Sequence, residues 1–317
     1  MTDLALRQAC LLEDSPPMEP GVSQDPVECL RHAIVATRPG GGGPRRISSQ
    51  LRRHGTVILS QHYGSLDAAD ACDVDRDAQR LAERGVRAVL LTDRAYPAVL
   101  RDSSVAPPVL FYRGPVDLLS APGVGICGSR EASAGGLHAT RSCGAAVVET
   151  GLTVISGYAR GVDTEAHLAA IEANGRTVAV LPEGIDHFRV KRGEMARHWD
   201  DSRVTVVSPF APSQPWRAGT AMARNEIIVR LGRALAVVEA GERGGTLNAG
   251  LRALDIGRPV LTLESGDQPS PGNSALIQRG AIPVHRREDL LETLASLPAR
   301  TEPDLQLPLA YDNQHRG

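Results

Sequence analysis

Short apolar runs recur along the second part of the chain, at Val124 to Cys127, Leu152 to Ile155, Thr177 to Leu181, Val204 to Val207, Ala234 to Val238, Pro259 to Leu263 and Ile282 to Val284. Runs this short and this rich in Val, Ile and Leu are the pattern of strands buried on both faces. Between most of them lie stretches of helical period: Leu137 to Glu149, Thr164 to Ala173, Ala221 to Leu231 and Leu247 to Asp255. They end at Gly151, Gly175, Gly232 and Gly257, the residue type that a helix C-terminus favours. Strands alternating with helices predict an α/β fold, an extended Rossmann-like, doubly wound and mostly parallel sheet. In such a sheet ligands lie beyond the carboxyl ends of the strands, where helix N-termini present free N–H groups. The residues just after each apolar run are therefore where chemistry is sought.

Towards the N-terminus the pattern is broken by Pro16-Pro17, Pro26 and the run Pro39-Gly40-Gly41-Gly42-Gly43-Pro44, which cannot sit inside a helix or strand. Residues 1–85 read as a small helical region, with one helical piece around Pro26 to Ala36, another around Ser48 to Ser60, and the Gly/Pro-rich run as a flexible link. A second proline-bearing stretch, Tyr96-Pro97 through Pro107-Pro108, leads from Val89-Leu90-Leu91 into a main domain placed at 86–297. After Val284 one helix is expected, Asp289 to Leu297, then a polar tail over 298–317 that is too short for a further independently folding domain.

The loops after the strands carry a consistent chemistry. The first is Gly128-Ser129-Arg130 with Ser133, where glycine admits an anion, the hydroxyls donate and the arginine supplies charge. The second is Ser156-Gly157-Tyr158-Ala159-Arg160-Gly161, the third Arg224-Asn225, the fourth Gly241-Glu242-Arg243-Gly244-Gly245-Thr246-Leu247, joined by Gly272-Asn273. Several glycines, amides and arginines at one sheet edge point to phosphate binding. Gly123-Val124-Gly125-Ile126-Cys127-Gly128 matches the dinucleotide pattern, but its glycines interrupt the strand instead of following it, so no NAD site is inferred. Asp163 and His167 are four apart and face one way on a helix; a capping aspartate bonded to an ordering histidine is favoured over an acid/base or metal pair.

Composition limits the partners. The 317 residues carry 35 basic and 37 acidic side chains, a formal net charge of −2, so any nucleic-acid site is local. Lys191 is the only lysine; the other basic residues are arginines, whose forks suit phosphate oxygens, but the arginine codons of a GC-rich genome are the weightier explanation of the bias. The five cysteines, Cys10, Cys29, Cys72, Cys127 and Cys143, show neither disulfide nor zinc spacing. With no apolar run near the ~20 residues of a membrane span, and no secretory signal, a cytoplasmic protein that does not engage membranes is expected. No metal or cofactor site and no catalytic constellation emerges.

The ordered set of Pro107-Pro108-Val109-Leu110-Phe111-Tyr112-Arg113-Gly114, Gly128-Ser129-Arg130, Ser156-Gly157-Tyr158-Ala159-Arg160-Gly161-Val162-Asp163, Arg224-Asn225, Val237-Val238-Glu239-Ala240 and Gly272-Asn273-Ser274-Ala275-Leu276-Ile277 resembles the DNA-processing family DprA, also called Smf. The resemblance spans about Leu81 to Val284. It implies a single-stranded DNA-binding protein, a homodimer, that protects DNA and loads a RecA-type recombinase in DNA uptake, recombination or repair. It also implies that Arg130 and its loop contact phosphates and that Arg224 and Asn225 help to build the pocket. The winged helix that many members carry at the C-terminal end is expected to be missing.

There are departures from the family pattern. Ala221-Met222 stand where Phe-Pro is usual, removing an aromatic on which a base stacks, with Trp216 the candidate replacement. Glu226 replaces a basic residue and is expected to weaken a phosphate path. Pro182-Glu183, Ser208-Pro209-Phe210 and Asn248 also differ. Two other readings stay open: a nucleotide-binding sensor or phosphoribohydrolase-like protein, with Glu239 or Glu242 acting on a ribose, and a diverged interaction subunit of a phage-defence or toxin-antitoxin system.

Overall fold

The computed structural model describes residues 25–39, 42–263 and 268–298. The expected polar tail from residue 299 onward, the question of a winged helix, residues 1–24 and the middle of the Gly/Pro run at 40 and 41 lie outside the described residues. Among the described residues nine strands make one sheet: β1 (Arg87–Leu90), β2 (Val109–Arg113), β3 (Gly123–Gly128), β4 (Thr153–Ser156), β5 (Thr177–Val180), β6 (Val204–Ser208), β7 (Ala234–Val238), β8 (Val260–Leu263) and β9 (Ile282–Val284). Their order is β1-β2-β6-β5-β4-β3-β7-β8-β9. From β6 to β9 every neighbouring pair is parallel, while β1 pairs with β2, and β2 with β6, antiparallel. The fold is the α/β, mostly parallel, doubly wound one that the alternation predicts. The two antiparallel strands fall in the proline-bearing stretch that the sequence reads only as a lead-in.

Alternation along the strands divides the apolar side chains between two cores. Val124 and Ile126 of β3 join Ala234, Ala236 and Val238 of β7 on one face, covered by α6 (Ala134–Glu149), α7 (Val162–Glu172) and α12 (Arg287–Ala295). Cys127, Leu235 and Val237 point the other way, into a core shared with α9 (Ala218–Leu231), α10 (Gly245–Asp255) and α11 (Pro271–Gln278). The N-terminal helices α1 (Pro26–Thr37), α2 (Pro44–His54), α3 (Val57–Gly64) and α4 (Ala68–Glu83) contribute Leu30, Leu51, Leu59 and Leu81 to this same core. Two short helices, α5 (Ala98–Arg101) and α8 (Glu194–His198), complete the set among the described residues.

Several boundaries differ from the sequence expectation for definite reasons. The piece expected over Ser48 to Ser60 is two helices, because Gly55 takes φ 64° and breaks the run. The sixteen-residue α4 went unpredicted among its many charges; its signal is Asp67, whose carboxylate accepts from Asp70 N, ahead of Val74, Ala78 and Leu81 on one face. At the end of α7 it is Asn174, not Gly175, that adopts the left-handed conformation, at φ 57°. Gly175 instead makes room, since a Cβ there would lie 2.2 Å from Val148.

Candidate nucleic-acid interface

Beyond the carboxyl ends of β3, β4 and β7 the loops are laced together by backbone and side-chain bonds. Ser129 O accepts from Val162 N at 3.2 Å, which fixes the loop after β3 against the start of α7. Thr246 Oγ1 donates to Gly128 O at 3.1 Å, and Asn225 Nδ2 donates to Gly245 O at 3.1 Å, so α9, α10 and the β3 loop form one wall. They enclose a cleft of about 580 Å³ whose lining includes Gly128, Ser129, Arg130, Arg224, Asn225, Gly245 and Thr246. The N-terminus of α10 opens into it with no side-chain cap on Gly244, leaving donors of the first turn available. A second cleft of about 370 Å³ adjoins it, lined by Gly157, Arg160, Pro182 and Glu183, and the two share Arg130, Ala159, Trp216 and Arg224.

Arg224 forms the floor between the clefts. Its side chain is 5% exposed, its Nη1 donates to Val180 O at 3.1 Å, and Asp163 Oδ2 lies 3.6 Å away, while Nε has no partner. Burial pulls the pKa of the guanidinium down against the opposing charge of Asp163. The guanidinium lies directly against Gly157, where a Cβ would be 1.4 Å from Nη1. Gly157 is thus needed for the space that Arg224 fills. Glu226, the next acidic residue on α9, does not line either cleft. It turns to the α9–α10 side, accepting from Arg230 Nε at 2.5 Å and from Arg252 Nε at 2.8 Å. Burial opposes its ionisation, but the hydrogen bonds and charges of the two arginines outweigh burial and hold the carboxyl below its ordinary range. The expectation that Glu226 sets a negative charge on the phosphate path is corrected: its charge is neutralised within the helix pair.

The ridge between the clefts carries Trp216, 48% exposed, with the Arg130 guanidinium 5.7 Å from its ring centroid. Among the described residues neither Arg130 nor Arg243, another cleft residue, pairs with a carboxylate, whereas Arg160 is bridged to Glu131 at 2.9 Å. Glu239 also lines the larger cleft; it takes φ 50°, and its carboxylate accepts from the Ser133 N–H at 2.8 Å and from the Ser133 hydroxyl. That carboxylate therefore sits at the start of α6, with Ser133 as its anchor. Arg243 belongs to the glycine-rich loop after β7 that the sequence marks as a candidate site, and the structure puts it on the cleft wall, a role that the sequence does not single out.

Other expected residues lie behind the cleft. The Ser156 hydroxyl donates to Ile126 O at 2.7 Å in the core. Gly161 packs against the Ser129 and Arg130 carbonyls at φ 77°. Gly272 N donates to Ala240 O at 2.9 Å, and Asn273 Oδ1 accepts from Ala240 N at 3.1 Å, so this pair braces the loop after β7 without lining either cleft.

The pairing expected of Asp163 and His167 is corrected. Gly161, not Asp163, occupies the N-cap of α7, and Asp163 Oδ2 accepts from Ala159 N at 3.2 Å inside the loop. His167 Nδ1 meets Thr177 Oγ1 at 2.7 Å, and because that hydroxyl donates to Val154 O, Nδ1 carries the proton. Burial above all, then the charges of Lys191 and Arg224, drives the imidazole down to about 3, so it is neutral. Lys191 Nζ bonds Tyr158 O at 2.9 Å, Ala159 O at 3.0 Å and the Thr164 hydroxyl, and so holds the 158–164 loop with Tyr158 at φ 60°.

Comparison with known proteins agrees with this architecture. The family described as DNA recombination-mediator protein A matches residues 87–295. The chain is 36% identical over 203 residues to the DNA processing protein DprA of Streptococcus pneumoniae, a match covering 63% of this chain and 72% of that protein. It is 32% identical over 228 residues to the protein Smf of Synechocystis, covering 70% of this chain and 57% of that protein. Among solved structures, DprA of S. pneumoniae aligns with a TM-score of 0.67 at 27% identity, covering 88% of this chain and 100% of that one. DNA processing protein A of Helicobacter pylori, described for its single-stranded DNA binding mode, aligns with a TM-score of 0.56 at 21% identity, covering 66% and 95%, a likeness of fold. Among the described residues no helix is long and apolar enough to cross a membrane, and no group of three or more His, Cys, Asp or Glu side chains is arranged to hold a metal ion.

Proposed function

The chain belongs to the DNA recombination-mediator protein A family, and from that premise we propose that the paired clefts bind single-stranded DNA, phosphates on the arginine-bearing loops and bases on Trp216. The observation that carries this reading is the Arg130–Trp216 pair on the ridge between two clefts: a cation with no carboxylate partner among the described residues, beside a half-exposed aromatic face. A nucleotide offers this pair both things it lacks, an anion for the guanidinium and a π-face for the indole. Arg243 and the open N-terminus of α10 extend the anion-binding side, with Gly128, Ser129, Gly244, Gly245 and Thr246 letting the backbone approach. The single-stranded DNA binding mode described for the H. pylori protein, which shares this fold, supports the choice of ligand.

In this reading the protein is a binding mediator and not an enzyme. It protects the strand and passes it to a RecA-type recombinase, as a homodimer in the cytoplasm; the family's description as a recombination mediator is what supports the handing-on step.

The test is titration of a labelled poly-dT oligonucleotide, read by fluorescence anisotropy at several salt concentrations. Wild type is expected to bind with an affinity that falls with salt, and Arg130→Ala to reduce the salt slope by about 0.7, the loss of one phosphate contact on a single strand. Trp216→Ala is expected to weaken binding about tenfold with the slope unchanged, as for one lost stacking partner. Absence of salt-sensitive binding in wild type would sink the proposal. Displacement of a single-strand-binding protein in favour of the host's recombinase, measured with the same variants, tests the handing-on step.

A further inference from the structure

Trp216 stands on a segment that the N-terminal helices hold through one carboxylate. Asp186 lies in the single turn Ile185–His187 that follows β5, and its side chain is 15% exposed. Its two oxygens accept from Arg80 Nη1 at 2.7 Å and Nη2 at 2.8 Å, a bidentate fork, and Arg84 Nη1 bonds the same carboxylate. Asp77 steadies Arg80 from within α4 at 2.9 Å. Burial raises the pKa of Asp186, but the hydrogen bonds and charges of the two arginines outweigh burial and keep the group ionised. A partly buried fork of this kind is worth more than an exposed ion pair and fixes orientation as well.

The backbone of the same turn is joined to the chain just ahead of Trp216. Gly184 N donates to Gln214 O at 2.8 Å, and Asp186 N donates to Pro212 O at 3.1 Å. His187 Nε2 lies 3.1 Å from Ser213 O. The approach is so close that a Cβ on Gly184 would lie 2.0 Å from Pro212 O. Pro215, with its fixed φ, then leads from Gln214 straight into Trp216, while Pro182 and Glu183 on the other side of the turn line the smaller cleft. A continuous set of bonds therefore runs from α4 through Asp186 to the 211–214 segment and the ridge.

We propose that Asp186, gripped by Arg80 and Arg84, is a positioning residue through which the N-terminal helices set the orientation of Trp216 on the ridge between the clefts. The inference rests on the reading of Trp216 as a platform for bases. It gives the helical region a part in binding although none of its described residues lines either cleft.

The test uses the full chain with Trp199→Phe, which leaves Trp216 as the sole tryptophan of the two in the sequence. In that background two changes are made separately: Asp186→Asn, and the pair Arg80→Lys with Arg84→Lys, which keeps the charges and removes the fork. Both are expected to lower the steady-state anisotropy of Trp216 in DNA-free protein and raise its quenching by acrylamide. Both are expected to weaken poly-dT binding about fivefold, the scale of coupling through a bonded network. Asp186→Glu is expected to recover part of each effect. The lysine pair is the milder change and decides the matter should Asp186→Asn not fold. Unchanged anisotropy and quenching in a folded variant overturns the proposal, whatever the change in DNA affinity. A loosened Trp216 with unchanged oligonucleotide affinity overturns the link from latch to binding. Should wild type bind no oligonucleotide, the reading of the clefts has failed, and the DNA-free anisotropy of the Trp199→Phe proteins still decides the latch.

Discussion

At the scale of single residues, the cleft depends on groups that no ligand needs to touch. Gly157 has no side chain because the Arg224 guanidinium occupies that space, so Gly157→Ala is expected to expel the guanidinium from its bond with Val180 O and from the neighbourhood of Asp163. A cost of about 3 kcal/mol by urea denaturation follows from overpacking together with a disturbed buried pair. The same substitution in an Arg224→Ala background should cost much less, because the colliding group is gone. His167 gives a second, independent expectation. Its folded-state pKa of about 3 lies below the unfolded value, so the unfolded chain takes up the proton first as pH falls. The stabilisation from keeping this histidine neutral is complete above the unfolded pKa of about 6.5 and is lost progressively from there down to the folded value. Between pH 7 and pH 5 this amounts to about 2 kcal/mol, and the pH dependence of urea unfolding should flatten by that amount in His167→Gln, where an amide still meets Thr177.

At the scale of elements, the sign of a charge mattered less than the surface to which its helix turned it. Glu226 follows Arg224 and Asn225 in sequence, yet it projects from α9 towards Arg252 of α10 and Arg230 one turn on. Replacing it by lysine, the kind of residue expected at this place from the family pattern, should leave both arginines without their acceptor and add a third cation. We expect Glu226→Lys to lower stability by about 2 kcal/mol, after allowing for partial exposure, with no tighter binding of poly-dT. The same distinction governs what was legible in the sequence. The parallel strands and their helices were legible because burial on both faces writes an unbroken apolar run, and the loops after them followed from topology. The antiparallel β1 and β2 were hidden by the prolines between them, and α4 by its charge. The partners of Ser156, Asn273 and Glu239 could not be read, because each bond spans thirty or more residues of sequence or joins separate loops.

At the scale of the whole molecule, a net charge of −2 means that the overall field does not draw nucleic acid in, and selectivity must come from the shape of one edge of the sheet. That edge presents two adjoining clefts separated by Trp216. A strand laid across it must part its bases at the ridge if one is to face the indole, and a single strand does so at little cost. A duplex keeps its bases paired and stacked inside and offers the ridge only phosphates, so it forfeits the stacking contribution of roughly 1–3 kcal/mol per base. Unlabelled duplex should therefore compete at least about tenfold less well than poly-dT of equal length near physiological salt. The deficit should shrink in Trp216→Ala, where both ligands are held by phosphate contacts alone. Equal competition by duplex in the wild type would mean that the ridge touches no base, and that the arginines account for all the binding there is.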